Sequence, residues 1–386
     1  MTRIEKSALA ARLDARADKV LSTAHANGFG FCVTQGGEVL YQKFHGMADS
    51  RVGRPADDTT FYRLASMTKP ITAVAVLIQV SRGLIDLDEP VEKFLPAFGT
   101  FDVGELDADG NTVIHGKAET KITPRHLLTH TSGAGSYPIG DKQYEAMTAE
   151  DKVDVAHVVD CVGRSVLAFH PGTQQMYSPI WGFDVLARLV ELTSGLDYAT
   201  FLRQNIFIPC GMTETTFAPT DGQWARMVEM HTRIEENGVY RSGTVAKAPG
   251  CVFDGIPTTW YAGGAGLASV MSDYRRFATM LLGGGVTEDG IRLLPADLIK
   301  EMATCQVSEA IMPGPERWGL GVRVITAEHP WMPQGCFGWS GAFGTHFWVD
   351  PTNDLIAILM RNSAYDGGAG AALACQFEKD VYGYTE

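Results

Sequence analysis

The 386-residue chain is short of the features that mark several large protein classes. Its seven cysteines (Cys32, Cys161, Cys210, Cys251, Cys305, Cys336 and Cys375) are odd in number, lie at least 31 positions apart and form no C-x-x-C pair. A disulfide framework and a zinc clip are therefore not expected, and free thiols acting as small core hydrophobes are. No unbroken apolar run exceeds the length of Ala73–Ile78, far short of the roughly 20 residues that span a bilayer. Basic residues are scarce, 32 against 45 acidic, for a net charge of −13. Such a chain repels phosphate backbones and anionic lipid, so neither nucleic acid nor membrane is an expected partner. The opening residues carry alternating charge as far as Asp18 and Lys19 and lack the apolar centre of a secretory signal. A solvated first helix and a cytoplasmic protein are expected. No repeat, low-complexity tract or Pro/Gly-rich linker divides the sequence.

What is present is globular in composition, 45% hydrophobic and 20% charged. Phe29–Thr34 and Val39–Phe44 are β-prone runs around a hairpin signal, Gln35-Gly36-Gly37-Glu38. Near the other end, Gly319–Thr326, Gly335–Trp339, Thr345–Val349 and Leu355–Arg361 are strand-like, with a turn at Asp350-Pro351-Thr352-Asn353. Helical patterns cover Ile71–Arg82, Pro124–His130, Trp181–Thr193, Tyr198–Ile206, Ser272–Leu282 and Ala296–Ala303, and Gly370–Val381 closes the chain. This predicts an α+β fold. Residues 1–64 and 305–386 supply one antiparallel sheet flanked by helices, residues 65–304 form a mostly helical inserted region, and a cleft lies at the seam.

Several familiar sites are missing. There is no G-x-G-x-x-G and no G-x-S-x-G, and the Gly110 to Gly116-Lys117 stretch has the wrong spacing for a P-loop, with Ala118 in place of the hydroxyl. His126 and His130 have zinc-like spacing, but no adjacent glutamate or third ligand accompanies them, so no metal is expected.

The positive signal is Ser66-Met67-Thr68-Lys69-Pro70. Chance alone gives about 0.5 S-x-x-K matches in a chain of this composition, and this is the only one. Pro70 belongs in a first helical turn, so the helix over 71–82 starts close to Ser66. Its residues leave almost no polar face, which predicts burial on all sides. Three residues along a helix place Ser66 and Lys69 on one face. Burial and the positive helix N-terminus would lower the lysine pKa from about 10.4 and let it help take the serine proton. On these residues alone, a helix-starting serine followed by a surface lysine fits equally well. Tyr177-Ser178-Pro179, between a turn and the helix near Trp181, offers a phenol as base, although a tyrosine packed against backbone fits the same residues. The glycines of Gly338-Trp339-Ser340-Gly341-Ala342-Phe343-Gly344 imply close backbone approach. Either a sheet bend explains them, or the N–H groups of Ala342 and Ser66 form an oxyanion hole.

With Leu64–Pro70, Leu127–Gly133, Pro171-Gly172 ahead of Tyr177-Ser178, and Gly263–Leu267 in this order, the sequence resembles the serine β-lactamase/penicillin-binding-protein superfamily, nearest the class C β-lactamases and the β-lactamase-like carboxylesterases (family VIII). The resemblance implies Ser66 as acylated nucleophile, Lys69 as its activator and Tyr177 as general base, with no cofactor. It sets Trp339-Ser340-Gly341 where penicillin-recognising members carry Lys-Thr-Gly, and Tyr177-Ser178-Pro179 where they carry Tyr-x-Asn. An indole in place of a cation suits an uncharged ester better than an anionic lactam. The expectation is a serine carboxylesterase acting on small, short-chain esters, with acyl transfer as a further activity. Trp339, Ser340, Gly341 and Tyr137 are expected to contact substrate, with Trp260-Tyr261 as further lining. The rival readings are a β-lactamase or D-amino-acid peptidase on the same scaffold, and a non-catalytic binding or sensor domain. Oligomeric state is not encoded in these motifs.

Overall fold

The computed structural model describes residues 3–247, 250–253 and 255–384. The outermost positions of the expected sheet region, 1–2 and 385–386, therefore lie outside the described residues. A seven-stranded antiparallel sheet is built from both ends of the chain. In chain order its strands are β1 (Phe29–Gln35), β2 (Glu38–His45), β3 (Glu316–Trp318), β4 (Arg323–Ile325), β5 (Phe337–Ser340), β6 (His346–Asp350) and β7 (Leu355–Met360). Across the sheet they run β3-β4-β5-β6-β7-β1-β2, so the N-terminal hairpin joins the C-terminal meander through the β7–β1 pairing, with Gly30 opposite Met360 and Gln35 opposite Leu355.

Both faces of this sheet are covered, which explains why β7 is an unbroken apolar run rather than an alternating one. Ile356, Ile358 and Met360 point into the larger core, whereas Leu355, Ala357 and Leu359 point into a second core on the opposite face. The second core is closed by α1 (Lys6–Ser22) and the last helix, Ala372–Tyr382, which contributes Leu373, Phe377 and Val381. The first helix is thus not solvated all round. Leu9, Leu13, Ala17 and Val20 form a buried stripe at helical spacing, and the alternating charges occupy the remaining face. Glu5 caps it by accepting from the N–H groups of Ser7 and Ala8.

The larger core runs from the other sheet face into the helical region. Its centre is α2 (Thr68–Ser81), in which every residue from Thr68 to Gln79 is buried, as the all-apolar pattern predicted. Each fully buried valine, leucine or isoleucine there contributes about 1.5–3 kcal/mol relative to exposure. The helix α3 (Trp181–Ser194) packs against α2, and α4 (Met271–Leu282) lies on β6 and β7. Three expectations need correction. The strand expected over Gly319–Thr326 forms only over Arg323–Ile325, because Gly321 adopts a left-handed φ of 73° and its N–H turns to the Leu128 carbonyl, while Glu316–Trp318 ahead of it pairs as a separate strand. The helix expected over Tyr198–Ile206 is α-helical only to Leu202 and continues as a π-turn through Phe207. All seven cysteines are free, but only Cys32, Cys210 and Cys336 are buried. The hairpins Asp102–Leu106/Thr112–Lys117 and Met230–Glu236/Val239–Val245 carried no clear sequence signal, since they are largely exposed and polar. No helix among the described residues is long and apolar enough to cross a membrane.

Candidate active site

The chain enters α2 from the short strand Tyr62–Arg63 through one 3-10 turn, Ala65–Met67. Ala65 holds a left-handed φ of 48°, a conformation that alanine rarely adopts. It redirects the backbone so that Ser66 stands at the head of the buried helix, 8% exposed. Lys69, one turn on, is fully buried, and its ammonium donates to Ser66 Oγ at 3.3 Å, to the Pro179 carbonyl at 2.5 Å and to the Gly264 carbonyl at 2.8 Å. Three acceptors match the three donors of an ammonium. Burial nevertheless holds the lysine below its ordinary range, opposed by the neighbouring Tyr177 and Asp184.

Tyr177 approaches from the turn that precedes α3, and its hydroxyl donates to Ser66 Oγ at 2.8 Å. The turn is tied down on both sides. The Ser178 N–H donates to His130 Nδ1 at 3.1 Å, the Met176 N–H donates to the His130 carbonyl, and Ser178 Oγ accepts from the Gly182 N–H in the first turn of α3. Pro179 takes part through its carbonyl, as an acceptor for Lys69. The phenol ring of Tyr177 sits in an aromatic cluster with His130 (4.5 Å between ring centroids), Trp318 (6.0 Å) and Trp339 (5.5 Å). The Trp339 indole donates to Tyr177 Oη at 3.3 Å. A proton leaving Ser66 therefore has a phenol oxygen as its nearest partner. The negative charge of a Tyr177 phenolate, the form able to take that proton, faces an indole N–H and a buried ammonium.

Two buried ionisable groups stand behind the cluster. His130 is held well below the ordinary histidine range by burial and then by the Lys69 charge, so it is neutral; with Nδ1 accepting from Ser178, its proton is on Nε2. Asp184, inside α3, accepts from the Trp260 indole at 3.0 Å, while burial pushes its carboxyl up to about 7. It thereby supports the loop whose Gly264 carbonyl holds Lys69. Trp260, expected at the substrate, is buried and belongs to this support, and Tyr261 is half-buried beside Phe217. Asp184 carried one overlooked signal, a lone carboxylate on the apolar side of an otherwise clean helical pattern. His126 completes a capping box with Thr123, away from His130. Among the described residues, no three histidine, cysteine or acidic side chains converge as a metal site.

The end of β5 closes the other side. A Cβ on Gly341 would lie 2.3 Å from the Leu64 carbonyl oxygen, so only glycine lets this strand end rest against the turn that carries Ser66. Thr345 Oγ1 donates to the same carbonyl at 2.9 Å. Ala342 follows, exposed, and among the described residues its N–H has no acceptor. The alternation of the strand sends Trp339 towards Tyr177 but turns Ser340 to the opposite face, where its hydroxyl bonds His346 Nδ1 at 2.8 Å and His346 Nε2 bonds Glu378 at 3.1 Å. The expected side-chain contact of Ser340 with substrate is thus corrected. Tyr137 is 65% exposed and follows Ser136, whose hydroxyl donates to the Met176 carbonyl beside Tyr177. A small, mostly apolar cavity of about 80 Å³ adjoins it, lined by Gly135, Gly140, Tyr144, Pro179, Ile180 and Trp181.

Comparison with known proteins bears on the family and the fold. The family described as Beta-lactamase matches residues 10–374. Esterase EstB of Burkholderia gladioli is 31% identical over 394 aligned residues, covering 95% of this chain and 94% of its own. Lovastatin esterase of Penicillium rubens is 26% identical, covering 96% and 98%. Among solved structures, EstCE1, described as a hydrolase with promiscuous acyltransferase activity, superposes with a TM-score of 0.78 over 98% of this chain and 99% of its own. At 20% identity, that likeness speaks for the fold alone.

Proposed function

The chain belongs to the β-lactamase family, and on that footing we propose that it is a serine carboxylesterase of the family VIII type, acting on small uncharged esters, with acyl transfer to alcohols as a second outcome. The observation that carries the reading is the contact of Ser66 Oγ with both Tyr177 Oη at 2.8 Å and Lys69 Nζ at 3.3 Å. The names of the esterase relatives supply the substrate class.

In this mechanism the Tyr177 hydroxyl first releases its proton to water, and the resulting phenolate accepts the Ser66 proton as Ser66 Oγ attacks the ester carbonyl. Lys69 lowers the cost of the phenolate and keeps the serine in place. Oxyanion charge gathers on the carbonyl oxygen, where the N–H groups of Ser66 and Ala342 donate; Ser66 lies in a first turn, whose N–H groups lack intrahelical acceptors. Tyr177 then protonates the leaving alcohol. Water, or an acceptor alcohol, enters along the same path and releases the acyl group. Gly341 holds the strand end at the cleft, Trp339 orients Tyr177 as well as bordering the substrate, and Tyr137 guards the rim. The about 80 Å³ cavity beside Pro179 suits a short acyl chain. The sheet region (1–64, 305–386) and the helical region (65–304) act as one catalytic unit. Seven free thiols suit a reducing compartment, which favours the cytoplasm.

Trapping with a phosphonate ester followed by peptide mapping tests the assignment: the label is expected on Ser66, and a label elsewhere overturns it. Rates on a short nitrophenyl ester and a chromogenic cephalosporin test the substrate class. The ester is expected to dominate, and a faster cephalosporin turnover would reinstate the lactamase reading.

A further inference from the structure

Three arginines are fully or almost fully buried in this chain, and one differs from the others. Arg323 pairs with Glu378 and Glu316, and Arg361 pairs with Asp366. Arg63, 4% exposed, has no carboxylate within ion-pair distance among the described residues. Its guanidinium donates one hydrogen bond, from Nη1 to the Val228 carbonyl at 3.3 Å, and faces the Trp224 ring at 5.6 Å, while Nε has no partner. Burial alone, with no carboxylate offsetting it, pulls the group down to about 10. An unpaired buried cation is costly to a fold and persists where something else compensates it.

Arg63 lines a cleft of about 340 Å³ between the Met230–Val245 hairpin and the strand leading to Ser66. Trp224, Met227 and Val245 give that cleft an apolar wall, and Arg51 and Lys247 are the other cations on its lining. The two acids on its lining, Asp49 and Glu229, both bond Arg51, at 2.9 Å each.

We propose that this cleft is a binding site for a small organic monocarboxylate with an aromatic or aliphatic body, separate from the Ser66 site. The carboxylate takes the guanidinium fork of Arg63, in the geometry that makes such pairs strong, and the body stacks on Trp224. Arg51, Arg63 and Lys247 set three positive charges against the two negative charges of Asp49 and Glu229, so the lining is net positive by one, which suits a monoanion.

Benzoate is the probe, titrated by calorimetry into the intact enzyme. Saturable one-to-one binding is expected, with the uncharged benzamide at least about tenfold weaker. Arg63→Met is expected to weaken benzoate at least about tenfold with an unchanged or raised Tm, because it removes an uncompensated buried charge. Trp224→Ala provides a second readout should Arg63→Met fail to fold, and is expected to weaken benzoate as well. Benzoate binding that survives Arg63→Met, benzamide binding as tightly as benzoate, or no saturation up to about 10 mM in the parent enzyme would overturn the proposal.

Discussion

Replacing Trp339 by phenylalanine separates two roles that the indole could have. Phenylalanine keeps an aromatic ring between Trp318, 4.5 Å away by centroid, and Tyr177, and removes only the N–H that donates to Tyr177 Oη at 3.3 Å. A hydrogen bond to a neutral phenol contributes about 1 kcal/mol net, and one to a charged oxygen about 2 kcal/mol. If Tyr177 carries negative charge on the way to the transition state, the difference of about 1 kcal/mol is added to the barrier, which is roughly a fivefold drop in kcat. KM should barely move, because the bond does not touch substrate. Trp318→Phe is the matched control: Trp318 stacks on the same phenol at 6.0 Å without donating to it, so its kcat should stay near that of the parent. The assay is steady-state hydrolysis of a short nitrophenyl ester by the three proteins, with Tm as a folding check. A Trp339→Phe kcat within error of the parent, or an equal loss in both variants, would refute the idea that the indole acts by stabilising charge on Tyr177.

Three further perturbations probe the rest of the arrangement. Ser66→Ala should abolish both turnover and phosphonate labelling while leaving Tm close to the parent value, since Lys69 keeps its two carbonyl acceptors; residual turnover would move the nucleophile elsewhere. Gly341→Ala brings a Cβ to 2.3 Å from the Leu64 carbonyl and 2.2 Å from Thr345 Oγ1, so it should cost about 1–3 kcal/mol in urea unfolding and lower kcat by displacing the strand end from Ser66; unchanged values would show that this contact is dispensable. His231, nearly buried, is pulled down to about 4, mainly by burial, so the unfolded chain binds a proton near pH 6.5 and the folded chain does not. Stability is therefore lost as pH falls from about 6.5 towards 4, by up to about 3 kcal/mol from this site, while Asp184, raised to about 7, gains stability over much of the same range. Urea unfolding at several pH values should give a flatter acid limb for His231→Gln than for the parent, and equal slopes would count against a neutral buried His231.

Much of the fold was legible because it rests on apolar pattern. The all-apolar run after Pro70 could only be a helix buried on every side, and α2 is that helix. The strand pairs at the two ends announced themselves through short β-branched runs and turn residues, and they meet where β7 pairs with β1. The amphipathic first helix was misjudged because charge is the conspicuous part of its sequence, whereas four residues at helical spacing decide its packing. The exposed hairpins were invisible for the converse reason: they bury too little to leave a periodic mark.

The site divides along a similar line. Residues bound to Ser66 through the helix, such as Lys69, were readable because α-helical geometry fixes which neighbours share a face. Groups that converge from distant segments were readable only as motifs, and those with no motif were not readable at all. Trp318 belongs to this last class, whereas His130 stood in the Leu127–Gly133 motif without a legible role and Asp184 showed only as a lone carboxylate on an apolar helix side. Each is placed by tertiary packing, and each acts on another group rather than on the reacting atoms: His130 holds the Ser178 N–H, Asp184 holds the Trp260 indole, and Trp318 fills the space beside Tyr177. The sheet edge shows the limit most clearly. Trp339 and Ser340 are adjacent and both were assigned to substrate, yet the two-residue period of a strand sends one to Tyr177 and the other to His346. Alternation separates such neighbours with certainty once the strand is known. Which of the two faces the cleft depends on which face of the sheet carries α2, and that is settled only when both cores have packed.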